Sequence, residues 1–222
     1  MRSLTELLSA RTDTGTMCER LSVPDSQTIE KDSRVGVDTA PFGARYNVSV
    51  DGIIPLIQAN EDGRPFLIEG RWTGVADYLD AIDLASADEP PRRCVVPILG
   101  WYEWRGEDDP YFNRSATRAI LNVGGVITSG TTGMSPMAVT LLKRGRAPLL
   151  VRSEDRRIWL SGSSMSVDVL VALAKCADSE KTESYPVRTL VEDPKNEGPE
   201  LIRPLRLWPH PPTGTRDLSR RL

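Results

Sequence analysis

Histidine and cysteine are scarce in this sequence: of its 222 residues, one is His and three are Cys. Cys18, Cys94 and Cys176 are odd in number and far apart, which favours neither a disulfide framework nor a zinc site with paired ligands. We therefore expect a reducing, intracellular environment, with no metal and no cofactor. His210, the one histidine, stands between prolines near the end of the chain, where a solvated side chain is expected.

Long apolar runs and a strong excess of one charge are also missing. No apolar run approaches the length of a membrane span, and only Leu7 and Leu8 are adjacent large apolar residues near the start, too few for a signal peptide. We expect a cytoplasmic protein with no membrane partner. The 28 basic and 31 acidic residues give a formal net charge of -3, so a nucleic-acid site would have to be a local basic patch.

The composition that remains suits one globular domain. Hydrophobic residues make up 39% of the chain, enough for a core, while 17 Gly and 17 Pro divide it into many short segments. Such interruption favours strands and turns over a helical bundle, so the fold class is predicted to be α+β, strand-rich, with a few short helices. We place the domain at 17–208, after an N-terminal extension at 1–16 and before a disordered Pro-rich tail at 209–222.

Local patterns predict the elements of this domain. Apolar and β-branched segments predict strands at 45–50, 53–57, 94–98, 101–104, 119–123, 126–128, 137–142, 149–151 and 185–191. Turns are expected at 60–64 and at Gly124-Gly125. Helices are expected at 72–84, after Ser153, and at 167–176.

The most specific motif runs from Arg93 to Trp104. It reads Arg-Cys-Val-Val-Pro-Ile-Leu-Gly-Trp-Tyr-Glu-Trp and resembles the signature of the SOS response-associated peptidase (SRAP) family, an Arg-Cys-apolar-apolar-Pro run leading to Gly-aromatic-aromatic-Glu-Trp. Three further stretches occur in the family's order: Cys18-Glu19-Arg20, then Arg45-Tyr46-Asn47-Val48, and finally Tyr185-Pro186-Val187 leading to Asn196-Glu197-Gly198-Pro199-Glu200-Leu201-Ile202. The resemblance extends from Met17 to Pro204.

The resemblance implies an SRAP-like fold and a cysteine that becomes the new N-terminus, through loss of the initiator methionine or self-cleavage. Here that residue is Cys18. An α-amine has an ordinary pKa of about 7.7–8.0, so a useful fraction is neutral and can attack the aldehyde of a ring-opened abasic sugar. The thiol of the same residue can then add to the imine and close a thiazolidine. This chemistry requires that residues 1–17 be absent.

Further site residues follow from the same resemblance. Glu103 matches the family's catalytic glutamate, which would move protons during peptide cleavage and sugar-ring opening. Arg20 and Arg146 match family arginines, and we expect them to contact DNA together with Arg45, Asn47 and Arg144. For the arginines, a solvated surface position balanced by acids is the alternative. The expected partner is single-stranded DNA containing abasic sites, bound by a monomer that associates with the nucleoid.

The sequence also departs from the family pattern. The Asn-Ala-Arg-x-Glu and Trp-Gly-x-x-Pro motifs are absent, and Arg144 stands where members have the histidine of His-x-Arg-Met-Pro. Because a guanidinium stays charged at physiological pH, Arg144 cannot be a proton-transferring base. The departures leave open whether activity survives. The alternative is a catalytically reduced SRAP-fold protein acting as a nucleic-acid-binding or structural module, and a conventional cysteine protease is disfavoured because no histidine lies in a matched motif.

Overall fold

A computed structural model describes residues 19–77, 92–106, 109–129, 137–161, 169, 172–173 and 181–205. The predicted extension at 1–16 and the predicted tail at 209–222 lie outside these ranges. Among the described residues no helix is long and apolar enough to cross a membrane. The elements, in chain order, are β1 (Arg20–Val23), α1 (Ser26–Ser33), β2 (Gly36–Val37), β3 (Arg45–Ser49), β4 (Ile53–Ala59), β5 (Pro65–Asp77), β6 (Arg93–Ile98), β7 (Gly100–Trp104), β8 (Pro110–Ser115), β9 (Leu121–Ser129), β10 (Met137–Arg144), β11 (Ala147–Pro148), α2 (Arg156–Leu160) and β12 (Thr182–Pro186), followed by 3-10 helices at Thr189–Glu192 and Pro199–Ile202.

Five strands close into a barrel in the order β5, β4, β6, β9, β10. The neighbouring pairs are antiparallel except for the closing pair, in which β10 runs parallel to β5 from Met137 opposite Gly70 to Lys143 opposite Asp77. Closure removes the unpaired strand edges that would otherwise invite association with other chains. Short strands extend it on both sides, β2 beside β5 and β11 beside β10.

The other sheet is open and fully antiparallel, with the order β12, β8, β7, β1, β3. It continues directly from the barrel, because β6 ends at Ile98 and β7 begins at Gly100. Gly100 permits the close approach of β8, because a β-carbon there would lie 2.2 Å from the carbonyl oxygen of Asn113. Within this sheet the short β1 lies between β7 and β3.

Two apolar clusters use opposite faces of the barrel strands, as the two-residue period of a strand requires. The cluster that we call the shared core joins Leu56 and Trp72 of the barrel to Leu21 and Trp101 of the open sheet. The second cluster places the other faces of the same strands against the helices, including Ile29 of α1 and Trp159 and Leu160 of α2. The shared core therefore fixes the open sheet to the barrel.

A third apolar cluster lies on the opposite side of the open sheet, where Tyr102 and Phe112 pack against Val187 and Val191. The latter pair belongs to residues 187–205, a segment that we call the strap. The strap leaves β12, reaches β1 and β3, and returns so that the Leu205 amide donates to the carbonyl oxygen of Pro186 at 2.7 Å. One segment thus spans the sheet from its β12 end to β3.

Much of the predicted strand pattern is confirmed, including the strands at β3, β4, β6, β7 and β10 and the turn at 60–64, where the Asn60 amide donates to the carbonyl oxygen of Arg64. A helix also begins after Ser153, as expected, and becomes α2. Of the helix expected at 167–176, the structure describes residues 169, 172 and 173 only, and these are helical.

Other expectations are wrong. Of the helix expected at 72–84, residues 72–77 are instead the end of β5, which runs to Asp77 alongside β10. Residues 78–84 lie outside the described ranges. Gly124-Gly125 is not a turn but the middle of β9. Close packing explains the two glycines: β-carbons at Gly124 and Gly125 would lie 2.9 Å from the Trp159 ring and 3.1 Å from the Cys94 sulfur, respectively. The late strand ends at Pro186, and its expected continuation to residue 191 forms a 3-10 helix.

The helix α1 has no counterpart among the expectations. Asp25 caps it, accepting hydrogen bonds from the Thr28 amide at 2.8 Å and the Thr28 hydroxyl at 2.7 Å, and these bonds lower the pKa of the Asp25 carboxyl. Ile29 is its one large apolar residue, so the helix shows no apolar period in the sequence.

Candidate functional site

Glu103 lies near the end of β7 and is partly buried. The indole Nε1 of Trp101 donates a hydrogen bond of 3.0 Å to its Oε1. Trp101 is 3% exposed and belongs to the shared core, so the donor is held in place by packing on every side. Residues two apart on a strand share a face, which puts the carboxylate on the face of the open sheet that is turned toward the barrel.

Tyr102, between them, points to the other face. It is fully buried in the cluster beneath the strap, and its hydroxyl donates to the carbonyl oxygen of Tyr46 at 2.7 Å. Burial, with a further contribution from the Glu197 carboxylate, raises the pKa of Tyr102 well above its ordinary value. The hydroxyl therefore remains a donor, and it ties β7 to β3 across β1.

The pairing of β1 with β7 determines what stands beside Glu103. Leu21 lies opposite Trp101, and Ser22 lies opposite Gly100, in antiparallel register. Moving one way along β1 corresponds to moving the other way along β7, so the exposed Glu19, just before β1, approaches the end that carries Glu103.

Cys18 precedes Glu19 directly in the chain and lies outside the described residues, as do Cys176 and His210.

Arg20 and Asn47 come together as the motifs suggest, but against the strap. Arg20 Nη1 donates to Asn47 Oδ1 at 2.9 Å and to the carbonyl oxygen of Val191 at 2.7 Å, and Nη2 donates to that of Glu192 at 2.9 Å. Asn47 is buried, and its Nδ2 faces the carbonyl oxygens of Val191, Asp193 and Asn196 at 3.0 to 3.2 Å. Both side chains have backbone partners within the protein.

Arg45 joins the open sheet to the barrel. Its Nη2 lies 2.9 Å from Glu69 Oε1, and its guanidinium lies 5.4 Å from the centre of the Phe42 ring. About a quarter of each side chain in the ion pair is exposed, 28% for Arg45 and 29% for Glu69. A phosphate near Arg45 would have to compete with the Glu69 carboxylate.

Arg144 and Arg146 are exposed on the barrel, at the tip of the β10–β11 hairpin. Arg144 pairs with Ala147, which leaves a two-residue turn of Gly145 and Arg146. Gly145 has a φ of 59°, the left-handed value that glycine takes at the first position of a type I′ or II′ hairpin turn. The tip of this hairpin therefore carries two exposed arginines, Arg144 and Arg146, on a different sheet from Glu103.

Cys94, the cysteine of the Arg-Cys motif, lies in an environment typical of a structural cysteine. It is fully buried in the shared core, and burial raises the pKa of its thiol to about 12. Its carbonyl oxygen accepts the indole hydrogen bond of Trp159 at 2.8 Å. A thiol in this state is protonated and shielded at neutral pH, so Cys94 is not a nucleophile. Within the described ranges, no group of three His, Cys, Asp or Glu side chains could hold a metal ion.

Comparison with known proteins decides the family. The sequence profile described as SOS response associated peptidase (SRAP) matches residues 17–194, most of the chain. The chain belongs to the SRAP family. The matched region includes β1, β3, β7 and the β10–β11 hairpin, and it ends within the strap.

Curated relatives agree with this assignment. Abasic site processing protein YoqW of Bacillus subtilis (strain 168), and the protein of the same name in Bacillus phage SPbeta, are each 26% identical over 127 residues, covering 50% of this chain and 57% of the relative. Abasic site processing protein YoaM of Bacillus subtilis (strain 168) is 25% identical over 127 residues, covering 50% and 56%. The SRAP chain described here therefore spans little more than half the length of these relatives.

Solved structures share the fold. A protein from Bacteroides thetaiotaomicron has a TM-score of 0.62 at 17% identity, covering 85% of this chain and 100% of its own. A phage-related protein from Bordetella bronchiseptica has a TM-score of 0.58 at 18% identity, covering 77% and 94%. At these identities the likeness concerns architecture, and it supports the strand-rich α+β class expected from the sequence.

The structure adds site residues that the motifs did not indicate. Trp101 was noted for its aromatic ring, whereas its hydrogen bond to Glu103 was not foreseen. The signal was present, since a Trp two positions before a Glu on a strand lies on the same face. The convergence of the strap on Arg20 and Asn47 had no such signal, because it joins residues more than 140 positions apart.

Proposed function

We propose that this SRAP protein processes abasic sites by cross-linking single-stranded DNA through an N-terminal cysteine at position 18, after self-cleavage or other removal of the residues before it. The observation that carries the proposal is the antiparallel register of β1 and β7, which brings Glu19, the residue after Cys18 in the chain, toward the end of β7 that holds Glu103. The names of the curated relatives, abasic site processing proteins, support the choice of lesion.

The proposed cross-linking reaction has two steps. The neutral α-amine of Cys18 attacks the aldehyde carbon of the ring-opened sugar, and water leaves as the imine forms. The thiol then adds across the C=N bond, so that a C–S bond forms and the thiol proton passes to nitrogen. Both groups come from one residue, which converts the second step into a ring closure of high effective concentration.

Glu103 is the proposed proton carrier for these steps. The sugar ring must lose its hydroxyl proton and gain one at the ring oxygen to open, and loss of water from the carbinolamine needs a proton donor. A single carboxyl group positioned beside the reacting carbon can do both in turn. The Trp101 indole keeps the carboxylate in one orientation.

DNA contacts are proposed for the exposed hairpin arginines, Arg144 and Arg146, whose guanidinium groups suit phosphate oxygens. Arg45 remains a proposed contact that would exchange its Glu69 partner for phosphate. DNA contacts by Arg20 and Asn47 stay a prediction, but the hydrogen bonds of these side chains within the protein favour another role.

The test is Glu103→Gln in the full chain, with single-stranded DNA carrying one abasic site. Gln keeps the shape and the oxygen that accepts from Trp101 but cannot take up a proton, so cross-linking should slow by about 10²–10⁴-fold. Glu183→Gln is the matched control, since Glu183 lies in the same sheet and pairs with Arg114. Adduct is counted on denaturing gels.

An unchanged rate in Glu103→Gln would remove Glu103 from the chemistry. Absence of any adduct with the wild-type chain, together with retained DNA binding, would instead favour the second candidate, a catalytically reduced SRAP protein acting as a nucleic-acid-binding module. The specific observation behind that candidate is Arg144, which occupies the histidine position of the family with a cation that cannot transfer protons.

A further inference from the structure

We infer that Arg20 and Asn47 are positioning residues: they anchor the strap to β1 and β3, and this anchorage holds the start of β1 in place for the reaction of residue 18. The inference rests on the proposed function for the reaction that it serves. It assigns to Arg20 a role other than gripping DNA.

The anchorage is a connected polar network. The end of the first strap helix offers the carbonyl oxygens of Val191 and Glu192, which a short helix leaves without partners of its own. Arg20 donates to both, and Asn47 reaches Val191, Asp193 and Asn196. The Arg20–Asn47 hydrogen bond of 2.9 Å joins the two anchors, so the strap, β1 and β3 form one unit.

A second tie acts beside the first. The Glu197 carboxylate accepts a hydrogen bond from the Tyr46 amide, the residue before Asn47. The Asn196 side chain donates to the carbonyl oxygen of Leu190 at 2.8 Å, which closes the strap turn on itself. Val191, fully buried under this turn, contributes the apolar part of the attachment.

The position of Arg20 explains why the anchorage matters for chemistry. Arg20 is the first residue of β1 and is two residues from Cys18, and its guanidinium is held by the strap. Two residues of extended chain span about 7 Å, which leaves the terminus little freedom once Arg20 is held. Without the anchor, the first residues of a four-residue strand would fray.

The same geometry disfavours a phosphate contact. Arg20 already uses three of its five N–H groups, on Nη1 and Nη2, to donate to Asn47, Val191 and Glu192. An end-on bidentate grip on phosphate through both Nη atoms would break these hydrogen bonds. Arg146, by contrast, is exposed at the tip of a turn.

The experiment compares Arg20→Ala and Asn47→Ala with the wild-type full chain. At saturating abasic-site DNA, each should cross-link about a hundredfold more slowly, since a misplacement of about 1 Å can cost that factor. The double variant should lose little more than either single one, because both break the same network. Binding to single-stranded DNA carrying a tetrahydrofuran site, which cannot ring-open, should keep its affinity and salt dependence.

Arg93→Ala is the matched control. Arg93 donates to the carbonyl oxygens of Trp159 and Ser161 at the end of α2, at 2.8 and 2.6 Å, so it caps a helix in the same way but on the barrel. Its loss should lower stability without slowing the reaction of the folded protein. A reduced salt slope in Arg20→Ala, by about 0.7 per lost phosphate contact, with a normal rate at saturation would overturn the inference.

Hydrogen exchange separates this inference from the proposed function. Arg20→Ala should speed amide exchange in residues 19–23 and 189–197 and leave the barrel strands unchanged, whereas Arg93→Ala should not affect these segments. If the wild-type chain forms no adduct, the proposed function fails, and the exchange result still decides whether the anchors hold β1. Unchanged exchange at 19–23 in Arg20→Ala would refute the positioning role.

Discussion

The barrel and the open sheet share a core but are completed in different ways. The barrel closes through the parallel pairing of β5 with β10, so its own backbone satisfies its strands. The open sheet has β12 and β3 at its ends and is spanned instead by the strap, through side-chain hydrogen bonds to backbone carbonyls. Single substitutions can therefore loosen the attachment of the strap to the open sheet. This sheet is the one that carries Glu103.

The arginines Arg93 and Arg20 make the contrast concrete. Each donates to carbonyl oxygens at the end of a helix, Arg93 to α2 on the barrel and Arg20 to the first helix of the strap. Arg93 secures a helix that packs on the second apolar cluster, whereas Arg20 secures the strand that begins beside the candidate site. Identical chemistry therefore serves stability in one region and position in the other.

The largest effect is expected from truncating one buried side chain of the barrel. Leu67 is fully buried in the second apolar cluster, and Leu67→Ala should lower the free energy of unfolding by about 2–5 kcal/mol. The cross-linking rate of the molecules that remain folded should stay at the wild-type value, because the buried residues of that cluster include none of the candidate site. Denaturant unfolding and single-turnover rates measure the two quantities. A rate that falls in proportion to stability would show that the regions are not separable.

A smaller effect is expected from the indole that holds Glu103. Trp101→Phe keeps an aromatic ring but removes the donor to the carboxylate, and a hydrogen bond to a charged group is worth about 1.5–3 kcal/mol, so a rate loss of about 10- to 100-fold is expected. Trp159→Phe removes an equally buried indole donor from the barrel and should leave the rate unchanged. Equal losses in both variants would assign Trp101 to packing alone.

The smallest effect concerns the exposed hairpin. Arg146→Ala should flatten the salt dependence of single-strand binding by a slope of about 0.7 if one phosphate contact is lost, with no change in stability. Arg157→Ala, an exposed arginine on α2, is the control for a general loss of charge. Equal slopes of the salt dependence for both variants and the wild type would remove the hairpin from the DNA site. The whole barrel would then have a structural role.

Sequence reasoning reached the two regions unequally. The strands around Cys94 and Glu103 were predictable because apolar and aromatic residues dominate them, and the SRAP motifs identified the family. Gly124-Gly125 misled because a pair of glycines indicates a turn when its neighbours are unknown, whereas here Trp159 occupies the space beside one of them. The helix predicted from Trp72 is wrong for residues 72–77 because the pairing of these residues with β10 outweighs the local preference of the sequence for a helix.

The candidate site was predictable in its residues and not in their partners. Glu103 follows from the motif, but its hydrogen bond with Trp101 depends on which face of β7 is buried. Arg20 and Asn47 were expected at DNA because charge and motif say nothing of the carbonyl groups that the strap brings from the far end of the chain. Contacts of that separation are set by topology, which local patterns do not contain.

The central claim is that the reactive group is a free N-terminal Cys18. Intact-mass spectrometry of the purified full chain, before and after incubation with abasic-site single-stranded DNA, tests it most directly. We expect the species carrying DNA to begin at Cys18 and to have a mass equal to protein plus DNA minus one water. A stable adduct on a chain that still retains residues 1–17 would exclude the thiazolidine, because an amide nitrogen at Cys18 cannot form the imine.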